Sequence, residues 1–380
     1  MERIYVDHAA TTPLHPQVLK KVHAYLRDSF GNPSSIHYFG RKSRAVLDES
    51  RERLAARLRV KGSQLVFTSG GTEADNLAVI GSALANKEKG KHIITSQIEH
   101  YAILNSCHFL ESLGFEVTYL PVNHLGQVDI SKLEEHLRED TILVSIMYAN
   151  NEVGTLQPIQ EIGHLLKERG ILFHTDAVQA LGVTPLDLSK LPVDLLSLSS
   201  HKINGPQGIG CLYVGEQVRL KPIIHGGAQE RNRRAGTENI AGVLGFVEAV
   251  EIAYSEMERN LSLYQSFKER LLSILQREEI DFQVNGDPDR SLAHILNISF
   301  MGVPAEIMLM NLDMEGIAAS SGSACTAGTL QPSHVLQAMY PEGDERINSA
   351  IRFSFGYGNT LEQIEQVAQI IVKLVKRLKG

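Results

Sequence analysis

Cysteine is scarce in this chain. Three occur in 380 residues, at positions 107, 211 and 325. They are odd in number, far apart and without metal-ligand spacing. That excludes a disulfide framework, leaves no metal site to expect, and points to a reducing compartment, the cytoplasm. No apolar run is long enough to cross a bilayer. The start, Met1-Glu2-Arg3-Ile4-Tyr5-Val6-Asp7, lacks the basic and then apolar pattern of a secretory signal. Positive charge is not in excess either. Lys and Arg number 37 against 44 Asp and Glu, a net charge of −7, which argues against a general nucleic-acid or membrane-surface role. Internal repeats and low-complexity stretches are absent.

What is present is a long chain, 43% hydrophobic, with ample material for a core and a length that suits two domains. Short apolar runs recur at Leu65–Thr68, His92–Ser96, Val117–Pro121, Ile142–Tyr148, Ile171–Thr175, Leu195–Ser199 and Gly210–Val214. Helical patterns such as Ile159–Arg169 lie between several of them. This alternation predicts an α/β domain with a mostly parallel sheet covered on both faces. Asn239–Glu256 reads as one helix. After it the style changes: Leu261–Glu278 helical, His294–Phe300 a strand, Ala305–Asp313 helical, Ile351–Phe355 a strand, and Leu361–Leu378 a final helix with basic residues near its end. The expected division is a large α/β domain over residues 13–256 and a smaller α+β domain made of 1–12 and 257–380.

Chemistry-bearing residues gather where predicted strands end. In open α/β sheets, ligands bind at the carboxyl ends of strands. Lys202 ends Ser199-Ser200-His201-Lys202, and Asp176 follows Phe173-His174-Thr175. A lysine able to form a Schiff base and an aspartate able to sit on a pyridinium nitrogen are what pyridoxal phosphate (PLP) asks of a protein. Ser69-Gly70-Gly71-Thr72 follows one strand and opens a helix, so its backbone N–H groups suit an anion. No Lys follows as a nucleotide P-loop would require. The same segment also reads as an ordinary turn with a cap. His100, just past another strand, suits stacking and proton transfer, although a lone histidine is more often structural. Asn150-Asn151 offers an amide beside a phenolate-like oxygen or simply holds a turn. Asp176 also reads as an N-cap opening a helix at Ala177. The basic, glycine-rich stretch His225–Asn239 places Thr237 within reach of a phosphate, or is a solvated loop. Cys325 lies among Ser, Gly and Ala residues that would leave a thiol able to ionise and attack, although a lone cysteine is more often an inert small residue, and Cys107 and Cys211 read as core residues.

Together, Tyr5-Val6-Asp7-His8-Ala9-Ala10-Thr11-Thr12-Pro13, Asn32-Pro33-Ser34-Ser35-Ile36-His37, Ser199-Ser200-His201-Lys202, Gly226–Asn239, Ser321-Gly322-Ser323-Ala324-Cys325 and Arg352-Phe353-Ser354 resemble the class V aminotransferase-like, fold-type I PLP enzymes. More narrowly, they resemble cysteine desulfurases of the NifS/IscS type. Ala228 departs from the glycine expected there. The resemblance implies a large domain with a mostly parallel seven-stranded sheet, a small domain built from both chain ends, and a homodimer. It implies that Lys202 carries PLP, that Asp176 pairs with the ring nitrogen, and that Asn151 and Gln179 contact the ring hydroxyl. His100 would stack on the ring and move protons. Gly71, Thr72, Ser199 and His201 would bind the phosphate, joined by Thr237 of the partner subunit. Arg352, with Asn151, would bind the substrate, the guanidinium clamping its carboxylate.

By the same resemblance, Cys325 takes the sulfur of L-cysteine as a persulfide and alanine leaves. The stretch Ser320–Pro332 is similar to the long-loop subgroup. The expected partner is a sulfur-acceptor protein, either an iron–sulfur scaffold or a tRNA-thiolating enzyme. The chain stopping at Lys379-Gly380, without an aromatic-containing tail, tilts that expectation toward the second. Rival readings are a selenocysteine lyase, a cysteine-sulfinate lyase or an aminotransferase on the same scaffold, and, from another class, a sulfur-relay platform with low intrinsic turnover.

Overall fold

The computed structural model describes residues 3–322 and 332–379. In chain order the first part runs β1 (Ile4–Tyr5), α1 (Pro16–Asp28), α2 (Tyr38–Leu58), β2 (Leu65–Thr68), α3 (Gly71–Asn86), β3 (His92–Ser96), α4 (Tyr101–Ser112), β4 (Glu116–Leu120), α5 (Ile130–His136), β5 (Thr141–Ser145), α6 (Ile159–Arg169), β6 (Leu172–Asp176), β7 (Leu195–Ser199) and β8 (Gly210–Val214). It continues with α7 (Gln229–Asn232), α8 (Ile240–Arg277), β9 (Phe282–Asn285), β10 (Ile295–Phe300), α9 (Ala305–Met314), β11 (Ile317–Ala318), α10 (His334–Met339), α11 (Arg346–Ser349), β12 (Ala350–Ser354) and α12 (Leu361–Lys379).

Seven strands form the main sheet in the order β2-β8-β7-β6-β5-β3-β4. Only β8 runs against its neighbours, so the sheet is mostly parallel, as the alternating pattern predicts. Its central strands read as continuous apolar runs because both faces are covered. Adjacent residues point to opposite faces. Ile94, Val144 and Leu196 enter one core with α2 and the first half of α8, while Ile93, Leu143 and Leu195 enter cores on the α3–α4 side. Each such buried side chain contributes about 1.5–3 kcal/mol.

A second core lies around the antiparallel sheet β12-β10-β9, packed against α12 and the second half of α8. Helix α8 corrects the expectation of two helices at 239–256 and 261–278. It is one helix of 38 residues. The residues between the two expected helices, Met257-Glu258-Arg259-Asn260, include no Pro or Gly to break it. Val243, Phe246 and Val250 pack on the first core, and Phe267, Leu271 and Ile274 pack on the second. The helix therefore passes unbroken through residue 256, where the sequence suggested a division.

One buried ion pair fixes the connection between β8 and α8. Arg51 on α2 reaches the Glu230 carboxylate, and both side chains are buried. Arg51 also donates to the Leu65 carbonyl at 2.7 Å, while the other Glu230 oxygen accepts from Phe67 N at 3.1 Å. Around this pair, Glu230, Arg231 and Asn232 take left-handed φ values of 44°, 58° and 63°. Three such non-glycine residues in a row are costly and persist only where surrounding contacts fix them. Arg51→Met leaves the carboxylate buried without a counter-charge and should cost about 3–5 kcal/mol, whereas Arg51→Met with Glu230→Leu should recover most of it. Urea unfolding midpoints of the wild type, single and double variants check this. Equal losses in both variants would show that the pair does not carry the effect.

Candidate active site

The carboxyl ends of β3, β5, β6 and β7 open on one cavity, together with the start of α3, the backbone of Ala9 and Ala10, and Arg352 from β12. Gly71, Thr72, His100, Asn151, Asp176, Gln179, Ser199, His201, Lys202 and Arg352 all line it. Two expected site residues are not among the lining. Thr237 is exposed elsewhere on the same chain, and Cys325 lies outside the described residues.

Lys202 ends a short turn after β7, and its Nζ donates to the carbonyls of Ala9 at 2.5 Å and Ala10 at 2.9 Å. Gln179 Nε2 also donates to the Ala9 carbonyl, at 3.0 Å. Asp176 is the last residue of β6. Its Oδ1 accepts from Val178 N at 2.9 Å, so it caps a turn and opens no helix. Burial raises the Asp176 pKa, opposed by His100, the Val178 N–H and Lys202. His100 caps α4, its Nδ1 accepting from Ala102 N at 3.1 Å. That bond leaves the neutral ring's proton on Nε2. Burial lowers the His100 pKa most, Asp176 raises it and Lys202 lowers it. His201 is pushed down to about 4, first by burial and then by Lys202.

The Arg352 guanidinium donates to Asn151 O and to Asp7 Oδ1, both at 2.9 Å, and its Nε is buried without a partner. Asp7 lies on the N-terminal segment, and burial raises its pKa against the pull of Arg352.

These residues fit PLP. The Ser199 hydroxyl is buried beside Gly71 and has no partner, at the N-terminus of a helix where an anion is favoured. A Cβ at Gly71 would meet Val178 Cγ2 at 2.8 Å, so glycine keeps that approach open. Asp176 is a buried carboxyl whose charge a protonated ring nitrogen would balance. Lys202 stands in the same wall. Gly71, Thr72, Ser199 and His201 would hold its phosphate, and Asn151 and Gln179 would meet the ring's edge groups, from the cavity wall they all line.

Three contributors escaped the sequence reading. Asp75 lines the cavity, is fully buried, and has one oxygen without a partner. Its pKa stands well above the usual range because of burial and then Asp176. Glu99 accepts from Ser96 Oγ at 2.6 Å and Met147 N at 3.0 Å, with its other oxygen orphaned. Asp7 is the third. The available signal was an acid embedded in buried, otherwise small or apolar sequence, as in Ala74-Asp75 and Ile98-Glu99.

The class-V aminotransferase family model matches residues 4–367. The chain is 53% identical over 378 residues to the putative cysteine desulfurase IscS 1 of Bacillus subtilis (strain 168), covering 100% of both chains. It is 46% identical to the cysteine desulfurase IscS of Dictyoglomus turgidum (strain DSM 6724 / Z-1310), covering 99% of this chain and 95% of that one. Among solved structures, a NifS-like protein superposes with a TM-score of 0.92 at 36% identity, covering 99% of this chain and 100% of that chain.

Buried titratable groups set opposing pH dependences. Burial pushes His8 down from 6.5 to about 4, and His174 and His294 down to about 3. Their contribution to stability is complete above 6.5 and is lost as pH falls toward those values, since only the unfolded rings gain protons there. Burial pushes Glu99 up from 4.5 to about 8. Its contribution is complete below 4.5 and is lost as pH rises through about 8. From pH 6.5 to 8 the histidine part is constant while the Glu99 part declines. The urea midpoint should therefore drop over that interval, and the drop should shrink in Glu99→Gln. An undiminished drop in the variant would exclude Glu99 as its source.

Proposed function

We propose that this chain, which belongs to the class-V aminotransferase family, is a PLP-dependent cysteine desulfurase that takes sulfur from L-cysteine onto Cys325 and releases alanine. The observation that carries the reading is the convergence of Lys202, Asp176 and Arg352 on one cavity beside an anion cradle. Bound PLP supplies a carbonyl for the substrate amine and a ring that accepts electrons from the bonds beside it.

The chain's own residues do the rest. The Lys202 amine donates to the Ala9 and Ala10 carbonyls and acts as nucleophile and as proton carrier. His100, neutral and carrying its proton on Nε2, exchanges protons beside it. Arg352 binds the substrate carboxylate. The Cys325 sulfur bonds to the substrate sulfur as the substrate's Cβ–S bond breaks. The electron pair stays with the carbon, which takes a proton and leaves as alanine.

The working unit is a homodimer in which Thr237 of the partner subunit joins the phosphate cradle. Its exposure away from this chain's own cavity supports that arrangement. Two separate cores, with α8 crossing between them, support a division into 13–256 and 1–12 with 257–380. The persulfide passes to an acceptor protein serving iron–sulfur assembly or tRNA thiolation. A cytoplasmic location suits the free, buried Cys107 and Cys211. A solved chain titled "SspA in complex with cysteine", 37% identical with a TM-score of 0.81 and covering 93% of this chain and 98% of that chain, supports the substrate.

Cys325→Ser should retain the yellow cofactor absorption yet lose alanine and sulfide formation from L-cysteine by about 10³-fold or more, as loss of a nucleophile does. Lys202→Ala should lose both the Lys-linked absorption and turnover. Full desulfurase activity in Cys325→Ser would overturn the assignment and favour a lyase or an aminotransferase.

A further inference from the structure

Glu152 has no role in the chemistry above, yet its carboxylate is buried, and its surroundings are unusual. In sequence, the stretch carrying Cys325 starts after Gly322 and ends before Pro332. Residues flanking both ends meet this one carboxylate. On one side, the Glu152 carboxyl group lies against Gly322 so closely that a Cβ there would push it aside. On the other side, the Ser333 hydroxyl donates to Glu152 Oε2. The same hydroxyl accepts from Leu336 N at 3.2 Å, so it also caps α10.

The backbone of Glu152 is fixed from two sides. Its N–H donates to Asn150 Oδ1 at 2.9 Å, and its carbonyl accepts from Asn297 Nδ2, on β10, at 3.2 Å. Asn150 is itself buried and donates to the Ile98 carbonyl at 3.0 Å. The preceding residue, Asn151, faces the cavity, and its carbonyl accepts from Arg352. Ser320, before Gly322, pairs by backbone with Arg352, whose N–H donates to Ser320 O at 2.6 Å.

We propose that Glu152 is a positioning residue for sulfur transfer, pinning both ends of the Cys325-bearing stretch to the turn that carries Asn151 and, through it, to Arg352. The inference rests on Cys325 being the sulfur acceptor. The carboxylate acts on the delivery of the thiol to the substrate, not on the binding of substrate.

The test uses the holoenzyme and L-cysteine. The change in cofactor absorption on substrate addition reports binding, and single-turnover alanine formation reports sulfur transfer. Glu152→Ala should lower kcat by about 10²-fold, the scale of a misplaced reacting group. KM and the absorption change should stay near wild type. Glu152→Gln, which keeps an oxygen for Ser333, should recover most of the loss. Ser333→Ala and Gly322→Ala lie away from the main sheet and should reproduce the kcat defect even if Glu152→Ala fails to fold. A raised KM with a weakened absorption change, or wild-type turnover in both flanking variants, would overturn the proposal. A parallel Cys325→Ala control separates the two readings. If it matches the wild type, the acceptor assignment fails, whatever the Glu152 variants do.

Discussion

The interaction on which the site depends is the hold of an extended N-terminal segment on both halves of the molecule. Lys202, on the large sheet, donates to Ala9 and Ala10, and Gln179 adds a bond to the same Ala9 carbonyl. Thr12 bonds the His201 carbonyl at 2.7 Å. From the other side, Asp7 pairs with Arg352, Ala9 N donates to Ser354 Oγ at 2.8 Å, and β1 pairs with β11. A few residues of backbone thus set how far the reactive amine lies from the guanidinium. Carbonyl acceptors suit that task. They accept from the half-buried ammonium, whereas a carboxylate in their place would hold the charge in a strong pair and resist its release.

The second constraint is charge. Asp75, Glu99 and Asp176 are all buried, and each feels or exerts like-charge repulsion within the group. Coulomb repulsion and desolvation together do not permit three carboxylates there. Asp176 alone is flanked by the Val178 N–H, His100 and Lys202, all of which favour its ionised form. The other two are pushed toward neutrality. Burial raises Asp176 too, but of the three it is the one with cationic neighbours, and it is the carboxyl that a protonated ring nitrogen would meet.

Much of this was legible in the sequence because it is local. Apolar runs mark the seven strands of the main sheet, and polar residues at their carboxyl ends mark the cavity wall: Asp176 at the end of β6, His100 past β3, and Lys202 after β7. What escaped was long-range. Ala9 and Lys202 are 193 positions apart, and Asp7 and Arg352 are 345 apart. No periodicity encodes such pairs. Helix α8 was divided in two because its buried face changes from one core to the other, and the partly exposed turn between them resembles a loop in composition. Glu152 carries no local signal because the residues that meet its carboxylate, Gly322 and Ser333, come from the far end of the chain.

Arg352 shows how these constraints combine. A guanidinium has five donors in a fixed plane. Here one side bonds Asn151, another bonds Asp7, and Nε is buried with nothing to bond. An unmet charged donor in a buried site is costly and invites an acceptor. Asp7 alone does not fill that role, since burial already raises its pKa and weakens it as a counter-ion. The arginine is consequently held in orientation by partners that do not saturate it. A carboxylate entering the cavity meets a plane already aligned, so little ordering entropy remains to be lost on binding. The same backbone carries Ser320 on its edge. Whatever fixes the Arg352 backbone therefore also fixes Ser320, two residues before Gly322.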